Sequence, residues 1–394
     1  MPASTGLDAE ILIVGGGHTG LFLACALARA GFEPLVVDPG APERALPPFD
    51  GRNLALLRST EEAARRLDLW AHLRQVVCPV DTVEVDERPG GARVVYRASE
   101  IDGRPFAFGV EHAALRNALL DAFRARLGTG RWIRGELADF VREDGAIRAR
   151  LSDGRELRVR LLVGCDGRES RVRALAGIGV RRWSYPQAAL AFVVGHERSH
   201  RHTIREWLRP GGPLALLPLP GRLTGVTWVE PEERARELAG LSEASLLSRL
   251  SLESEGVLGA LRLESGVGVW PLSAHHAERY VAPRIALVGD AAHGVHPIHA
   301  QGFNMAVADA VALAEVLARA RRLGRDPGTP DVLLAYDRGR RSANARRIWM
   351  TDTLARIFSS ELPLLQPLRS GILMLLAGLP PLRRLAATHG MTLR

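Results

Sequence analysis

Residues Glu10 to Asp38 leave this chain little freedom in how it begins to fold. They read Glu10-Ile-Leu-Ile-Val14, then Gly15-Gly16-Gly17-His18-Thr19-Gly20, then an apolar segment to Arg29, and after Gly31 come Pro34-Leu-Val-Val37 and Asp38. An apolar run of strand length enters a Gly-x-Gly-x-x-Gly turn. A segment of helical periodicity opens from the turn, and a second apolar strand ends in an acid. Gly15 permits the tight turn, Gly17 lets backbone N–H groups approach a pyrophosphate, and Gly20 allows helix and strand to pack closely. The helix N-terminus adds free donors and a positive dipole end. Asp38 stands where a carboxylate accepts ribose hydroxyls. A glycine-rich loop alone is a common turn. Strand, loop, helix, strand and acid in this order predict a dinucleotide site.

At 394 residues the chain has room for two domains or one elaborated domain. Its 46% apolar and 24% charged content is that of a soluble globular protein. The net charge of +8 comes entirely from arginine, with no lysine anywhere. Those arginines are scattered and interleaved with acids, which argues against a nucleic-acid footprint. Cys25, Cys78 and Cys165 have no metal-like spacing and read as buried thiols of a reducing compartment. Met1 to Ala9 lack the pattern of a secretory signal, and no run reaches the roughly 18 apolar residues of a spanning helix. A cytoplasmic protein is expected.

Farther along, Pro39 to Asp50 is a proline-rich loop and Ser59-Thr-Glu-Glu62 resembles a capping box for a helix to about Leu73. Thr82 to Asp86 and Arg93 to Arg97 alternate as strands around Pro89-Gly90-Gly91. A helix over Glu111 to Leu127 carries Arg116. Phe140 to Arg142, Ala146 to Leu151 and Glu156 to Leu161 form a meander through the hairpin turns Asp144-Gly145 and Asp153-Gly154. The apolar run to Val163 ends at Gly164-Cys165-Asp166-Gly167, as a strand entering a buried parallel sheet would. From Arg181 to Pro271 the strand-like runs Ala188 to Val194, His202 to Leu208 and Leu223 to Val229 surround a helical insert, Glu232 to Leu250. Arg284 to Val288 returns as a buried strand ending in Gly289-Asp290. A loop rich in histidine then leads to a helix from about Gly302 to Arg321. The predicted fold is α/β: a Rossmann-like domain with a parallel sheet and β-meander, an antiparallel substrate domain, and a C-terminal helical tail. The segments are 1–79, 99–180 and 272–355 for the first, 80–98 and 181–271 for the second, and 356–394 for the tail.

Three distant strand ends therefore share one design, an apolar run followed by a tight turn with Gly and Asp. These sequences resemble the FAD-dependent aromatic hydroxylases of the para-hydroxybenzoate hydroxylase type over essentially the whole chain. Leu161 to Arg173 looks like that family's Asp-Gly motif, and Ala286 to Pro297 looks like its Gly-Asp motif. The likeness is closest to the ubiquinone-biosynthesis hydroxylases, through His296-Pro-Ile-His-Ala-Gln-Gly-Phe-Asn304, Gly212 to Pro218 and Thr351 to Phe358. The resemblance implies FAD held by Gly15, Gly17, His18, Thr19, Gly20, Asp38, Arg52, Arg116, Asp166, Gly167, Gly289, Asp290, Pro297, Gly302 and Asn304. It would set Asp290 on the ribityl chain and Arg116 on the pyrophosphate. One departure is Ala300-Gln301-Gly302, where the family usually has Gly-Gln-Gly. A Cβ there narrows the site or disfavours a positive φ.

The activity implied is hydroxylation of an aromatic ring through a flavin C4a-hydroperoxide formed with O2, on a prenylated phenol of ubiquinone biosynthesis. Two alternatives stand beside it: hydroxylation of a small soluble aromatic or natural product, and a flavin-holding accessory subunit of a biosynthetic complex. The cofactor carries the hard chemistry, so no catalytic side chain is demanded, and His296, Pro297 and Gln301 are the loop candidates. The N-terminus of the Gly302 helix would face the flavin pyrimidine, where charge collects on reduction. No second Gly-x-Gly-x-x-Gly unit is present, so NAD(P)H would bind transiently, or another electron donor serves. His293, His296 and His299 invite a metal reading, but Pro297, the loop setting and the lack of a nearby carboxylate or thiolate argue against it. His18 reads as a neutral loop residue. Arg52 reads equally as a flavin or substrate contact and as a solvated arginine. Trp207, Trp228 and Trp270 read as core residues before they read as an aromatic pocket. The tail from Leu362 through Arg383-Arg384 fits either a helix packed on its own domain or one lying in a membrane interface, where a lipophilic substrate would be met.

Overall fold

The computed structural model describes residues 6–40, 43, 50–88, 91–297, 300–359 and 365–391. Its centre is the strand–turn–helix–strand unit: β1 (Ala9–Val14), α1 (His18–Arg29) and β2 (Leu35–Asp38). β1 lies between β2 and the strand Glu156–Gly164, parallel to both, with Leu12 opposite Leu35 and Leu162. Glu156–Gly164 in turn pairs in parallel with Ile285–Leu287, Val163 opposite Ala286. Ile11, Leu12, Ile13, Leu161, Leu162 and Ile285 are wholly buried. Continuous apolar strands suit this position because helices cover both faces of a parallel sheet. The meander joins through Ala146–Leu151, and its two turns place Gly145 and Gly154 at φ +70° and +87°, which only glycine adopts freely. Among the described residues this sheet has eight strands.

A second sheet, of nine strands among the described residues, is built around Val180–His196, flanked by antiparallel Gly268–Ala277 and Leu223–Pro231. The hairpin Thr82–Glu87 and Arg93–Arg97 adds to its far side through a parallel pairing of Thr82–Glu87 with Thr203–Leu208. One face buries Leu190, Phe192, Val194, Leu214 and Leu216 under the helices Glu232–Ala239 and Glu243–Glu253. Trp207 and Trp228 belong to that core at 1% exposure each. Trp270 does not; it is 42% exposed, with the Arg52 guanidinium 4.9 Å from its ring.

Several elements differ from the sequence expectation. The helix expected from Ser59 begins at Arg58 without a side-chain cap and ends at Arg66, because Asp68 turns to φ +54° before a separate short helix, Trp70–Leu73. The expected single insert over 232–250 is two helices broken at Gly240. A small antiparallel sheet of Asn53–Leu57, Cys78–Val80 and Ala107–Glu111 was not anticipated. Its strands are short and lack alternation, and Gly109 is required there because a Cβ would stand 2.0 Å from the Pro218 carbonyl. Most of the proline-rich loop, the Pro89-Gly90 turn, His299 and residues 360–364 of the tail lie outside the described residues. After Pro330–Ser359, the tail forms helices Leu365–Gly378 and Pro380–Met391. No helix among the described residues is long and apolar enough to cross a membrane.

Candidate functional site

Parallel registration of three neighbouring strands brings their C-terminal turns to one edge of the first sheet. Cys165 N–H donates to the Val14 carbonyl at 2.7 Å, and Val288 N–H to the Gly164 carbonyl at 2.9 Å. The contacts among the turns leave no spare volume. A Cβ on Gly15, at φ +105°, would meet the Cys165 carbonyl oxygen at 2.3 Å, and one on Gly20 would meet the Gly15 carbonyl at 1.8 Å. A Cβ on Gly289, at φ +62°, would lie 2.8 Å from the Ala306 methyl and 3.1 Å from the Thr19 hydroxyl. The structure therefore brings the Gly-rich loop, the Asp166 turn and the Gly289-Asp290 turn together. Gly17 is the exception within the loop, since a Cβ there would touch nothing within 4 Å. The start of α1 has no side-chain cap and no acid in its first turn. An open, anion-compatible helix N-terminus remains, which is what a pyrophosphate requires.

The acids around this edge are placed differently from one another. Asp38 accepts from the Gly16 N–H at 2.6 Å and the Gly40 N–H at 2.8 Å, one on each oxygen. It thereby fixes the loop from the end of β2. Asp166 turns inward: it accepts from Ser170 Oγ at 2.6 Å and the Val172 N–H at 3.0 Å, starting the short helix Arg171–Leu175. Its carboxylate is occupied by the fold, and Gly167, at φ +80°, supplies the backbone turn beside it. Asp290 is left with its side chain half exposed and Arg168 Nε 4.0 Å away. His275 Nε2 lies 2.8 Å from the Asp290 carbonyl, and Arg173 Nη1 donates to the Ala291 carbonyl at 2.8 Å, so the turn's backbone is held from behind. Beside it opens a groove of about 300 Å³ lined by Arg168, Arg182, Trp183, Ser273 and His275.

His18 begins α1 and is buried, with Nε2 2.7 Å from the His112 carbonyl and its ring 4.0 Å from that of His112. Burial first, and the nearby guanidiniums of Arg52 and Arg116, lower its pKa to about 4, so the ring is neutral at pH 7. Both arginines thus stand within electrostatic reach of the loop. Arg52 is held by Asp50 through Nε at 2.8 Å, and Arg116 Nη1 donates to the Glu43 carbonyl at 3.1 Å.

The helix Gln301–Arg322 points its N-terminus at the same region. Ala300 caps it in the left-handed conformation, φ +51° and ψ +37°, the backbone that a glycine would adopt without strain. Around Ala300 lies an apolar cluster of Ala55, Leu57, Val80, Ala107 and Leu217. Gly302 has open space, the nearest contact of a Cβ being Val295 at 4.0 Å. Gln301 is buried at 3% exposure. Asn304 commits its side chain to the fold. Fully buried, it accepts from the Leu57 N–H and Thr60 Oγ1 at 2.8 and 2.7 Å and donates to the Ala55 and Ala300 carbonyls at 2.9 and 2.7 Å. Its side chain is a strut between the small sheet and the helix. His296 precedes Pro297 at 1% exposure, edge-on to Tyr185 at 4.9 Å. His293 turns elsewhere, to Asp309 at 2.6 Å. Among the described residues no cluster of His, Cys, Asp or Glu could hold a metal.

Sequence reasoning missed the environment of Tyr185, whose hydroxyl donates to Asp352 at 2.6 Å beside the Trp183 indole N–H at 2.8 Å. It missed Asp309 altogether. Asp309 is a single acid in an apolar stretch and Tyr185 follows Arg181-Arg-Trp-Ser184, and only the fold reveals their partners.

Residues 8–350 match the FAD binding domain family. The chain is 38% identical over 97% of its length to the ubiquinone hydroxylase UbiL of Rhodospirillum rubrum, covering 89% of that protein. It is 32% identical over 99% of its length to the 3-demethoxyubiquinol 3-hydroxylase of Escherichia coli, covering all of it. Among solved structures, PqsL of P. aeruginosa in complex with 2-aminobenzoylacetate superimposes with a TM-score of 0.75 at 28% identity, over 89% of this chain and 97% of that one. An open glycine loop beside a helix N-terminus, an acid at the end of β2 and a half-exposed acid on the third turn fit an elongated dinucleotide. This chain belongs to the FAD binding domain family and is an FAD-dependent aromatic-ring monooxygenase.

Proposed function

We propose that the substrate is a lipophilic phenol, a prenylated ring on the way to ubiquinone. The observation that carries this reading is the apolar cluster of Ala55, Leu57, Val80, Ala107 and Leu217 around Ala300, at the start of the helix that faces the flavin ring. The names of the relatives in Rhodospirillum rubrum and Escherichia coli support it. Bound FAD supplies the redox chemistry that activates O2 and inserts one oxygen atom into the ring. The chain's own residues do the rest. The α1 N-terminus and the backbone of Gly15 to Gly20 would take the pyrophosphate with Arg116, Asp38 the adenosine ribose, Asp290 the ribityl hydroxyls, and Arg52 would contact flavin or substrate. The N-terminus of Gln301–Arg322 presents positive potential where the ring gains negative charge. Pro297 and Gln301 shape the contact face, and the apolar cluster orients the phenol and excludes water.

By this reading residues 1–79, 99–180 and 272–355 hold FAD, while 80–98 and 181–271 shape the substrate side. Two strands, Val180–His196 and Gly268–Ala277, run across those limits and carry the substrate sheet into the flavin region. Asp290→Ala should purify with much less FAD, read from absorbance near 450 nm and mass analysis of the released cofactor. Full retention would remove Asp290 from the site. Supplied with a polyprenyl phenol and, separately, a small aromatic acid, the enzyme should hydroxylate the first; turnover of the acid alone would exclude the lipophilic reading. The electron donor is a transiently bound NAD(P)H or a redox protein.

Residues 356–394 are the membrane-facing part of this proposal. Met374, Leu375, Leu379, Leu382 and Leu385 are exposed at 37–59%, and Arg383, paired with Glu100 at 2.8 Å, and Arg384 lie among them. Such a surface suits a lipid interface with anionic headgroups. Full-length protein should co-sediment with anionic liposomes more strongly than a chain ended after Phe358. Equal binding by both would remove the idea.

A further inference from the structure

Behind the Gly289-Asp290 turn lies a carboxylate that none of the site residues accounts for. Asp309, on the helix Gln301–Arg322, has 0% exposure. Its Oδ2 lies 2.6 Å from His293 Nε2 and accepts from the Gly289 N–H at 3.3 Å. Its Oδ1 accepts from Arg340 Nε at 2.7 Å and from Asn344 Nδ2 at 2.9 Å. Arg340 Nη2 donates to Asn344 Oδ1 at 2.8 Å. Arg340 and Asn344 stand four apart on Pro330–Ser359, so they reach the carboxylate from one face of that helix.

Stability is a poor reason for this arrangement, because a well-packed apolar residue often replaces a buried ion pair at no loss. What an apolar residue cannot offer is a fixed acceptor for Gly289, just before Asp290, and for His293, three residues after it. Gly289 is already confined, at φ +62° with no room for a Cβ, so small shifts in its N–H partner re-aim the turn. The Pro330–Ser359 helix also touches the other flavin-side segment. Asp352, three turns beyond Arg340, holds Tyr185 and Trp183, and Tyr185 packs edge-on against His296.

We propose that Asp309, held by Arg340 and Asn344, is the positioning residue that aims the Gly289-Asp290 turn at FAD, making cofactor retention depend on the Pro330–Ser359 helix. This rests on Asp290 as an FAD contact. The test is titration of apoprotein with FAD, followed by quenching of flavin fluorescence, for Asn344→Ala and for the double variant Asp309→Asn/Arg340→Met. The double variant removes both charges, so neither is left buried alone. Circular dichroism and thermal melting report the fold separately. The expected result is a cooperative melt with the FAD Kd raised at least about tenfold, as loss of outer-shell support typically does. A Kd within about twofold of the parent in a folded variant, whatever its Tm, overturns the proposal. If the double variant does not fold, Asn344→Ala decides alone. Asp290→Ala run in parallel separates the two ideas. If it leaves the Kd unchanged, the reading of the turn fails; if it raises the Kd and the Asp309 variants do not, the brace alone fails.

Discussion

Ala300 carries a backbone that its side chain resists. A left-handed conformation costs a non-glycine residue about 1–2 kcal/mol, while glycine gives back about 0.5–1 kcal/mol in unfolded-state entropy. Ala300 therefore sits under strain at the cap of the helix Gln301–Arg322, packed against an apolar cluster. Ala300→Gly should leave the apoprotein as stable or up to about 1 kcal/mol more stable, seen as a small rise in Tm. A clear fall would mean that the methyl's packing outweighs the strain. The departure from Gly-Gln-Gly was legible in the sequence, as was its φ requirement. What Ala300 packs against was not, because Ala55, Ala107 and Leu217 reach that cluster from three distant segments.

Among the elements, the ones legible from sequence were those whose signal is local. β1, α1, β2 and the meander carry their turns with them, and the Gly302 helix is long and periodic. The strands Asn53–Leu57 and Ala107–Glu111 were not legible, because what makes them strands is each other and the Pro218 backbone. Asn304 shows the same limit. The four hydrogen bonds of its side chain go to the small sheet, Thr60 and Ala300, partners that its place in the sequence does not reveal. Asn304→Ala would strand several buried polar groups, each costing about 1–3 kcal/mol. We expect a loss on the order of 3 kcal/mol in urea unfolding of the apoprotein, and no recovery from Asn304→Asp, whose carboxylate cannot donate to the Ala55 and Ala300 carbonyls. A change below about 1 kcal/mol would show that water replaces the strut.

At the level of the whole molecule, burial has made a set of histidines resist protonation. His18, His275 and His276 each titrate at about 4 rather than the ordinary 6.5, in every case chiefly because burial penalises the charged ring. Between those values the unfolded chain takes up protons that the folded chain refuses, so stability must fall as pH drops from about 6.5 toward 4. Each histidine contributes up to about 1.4 kcal/mol per pH unit in that window. Urea midpoints measured at pH 7.5, 6 and 5 should decline accordingly; a flat profile would mean that the rings are already charged in the fold.

The parallel pairing of Thr82–Glu87 with Thr203–Leu208 has one more outcome, for how the molecule is inherited and made. The ribbon emerges from the polypeptide long before the partner it must lie beside, and the strands of the two sheets alternate along the chain. Neither layer can be excised by a single cut or donated to another gene as a module. A nascent copy must wait, with one edge uncovered, until more than a hundred further residues have left the ribosome.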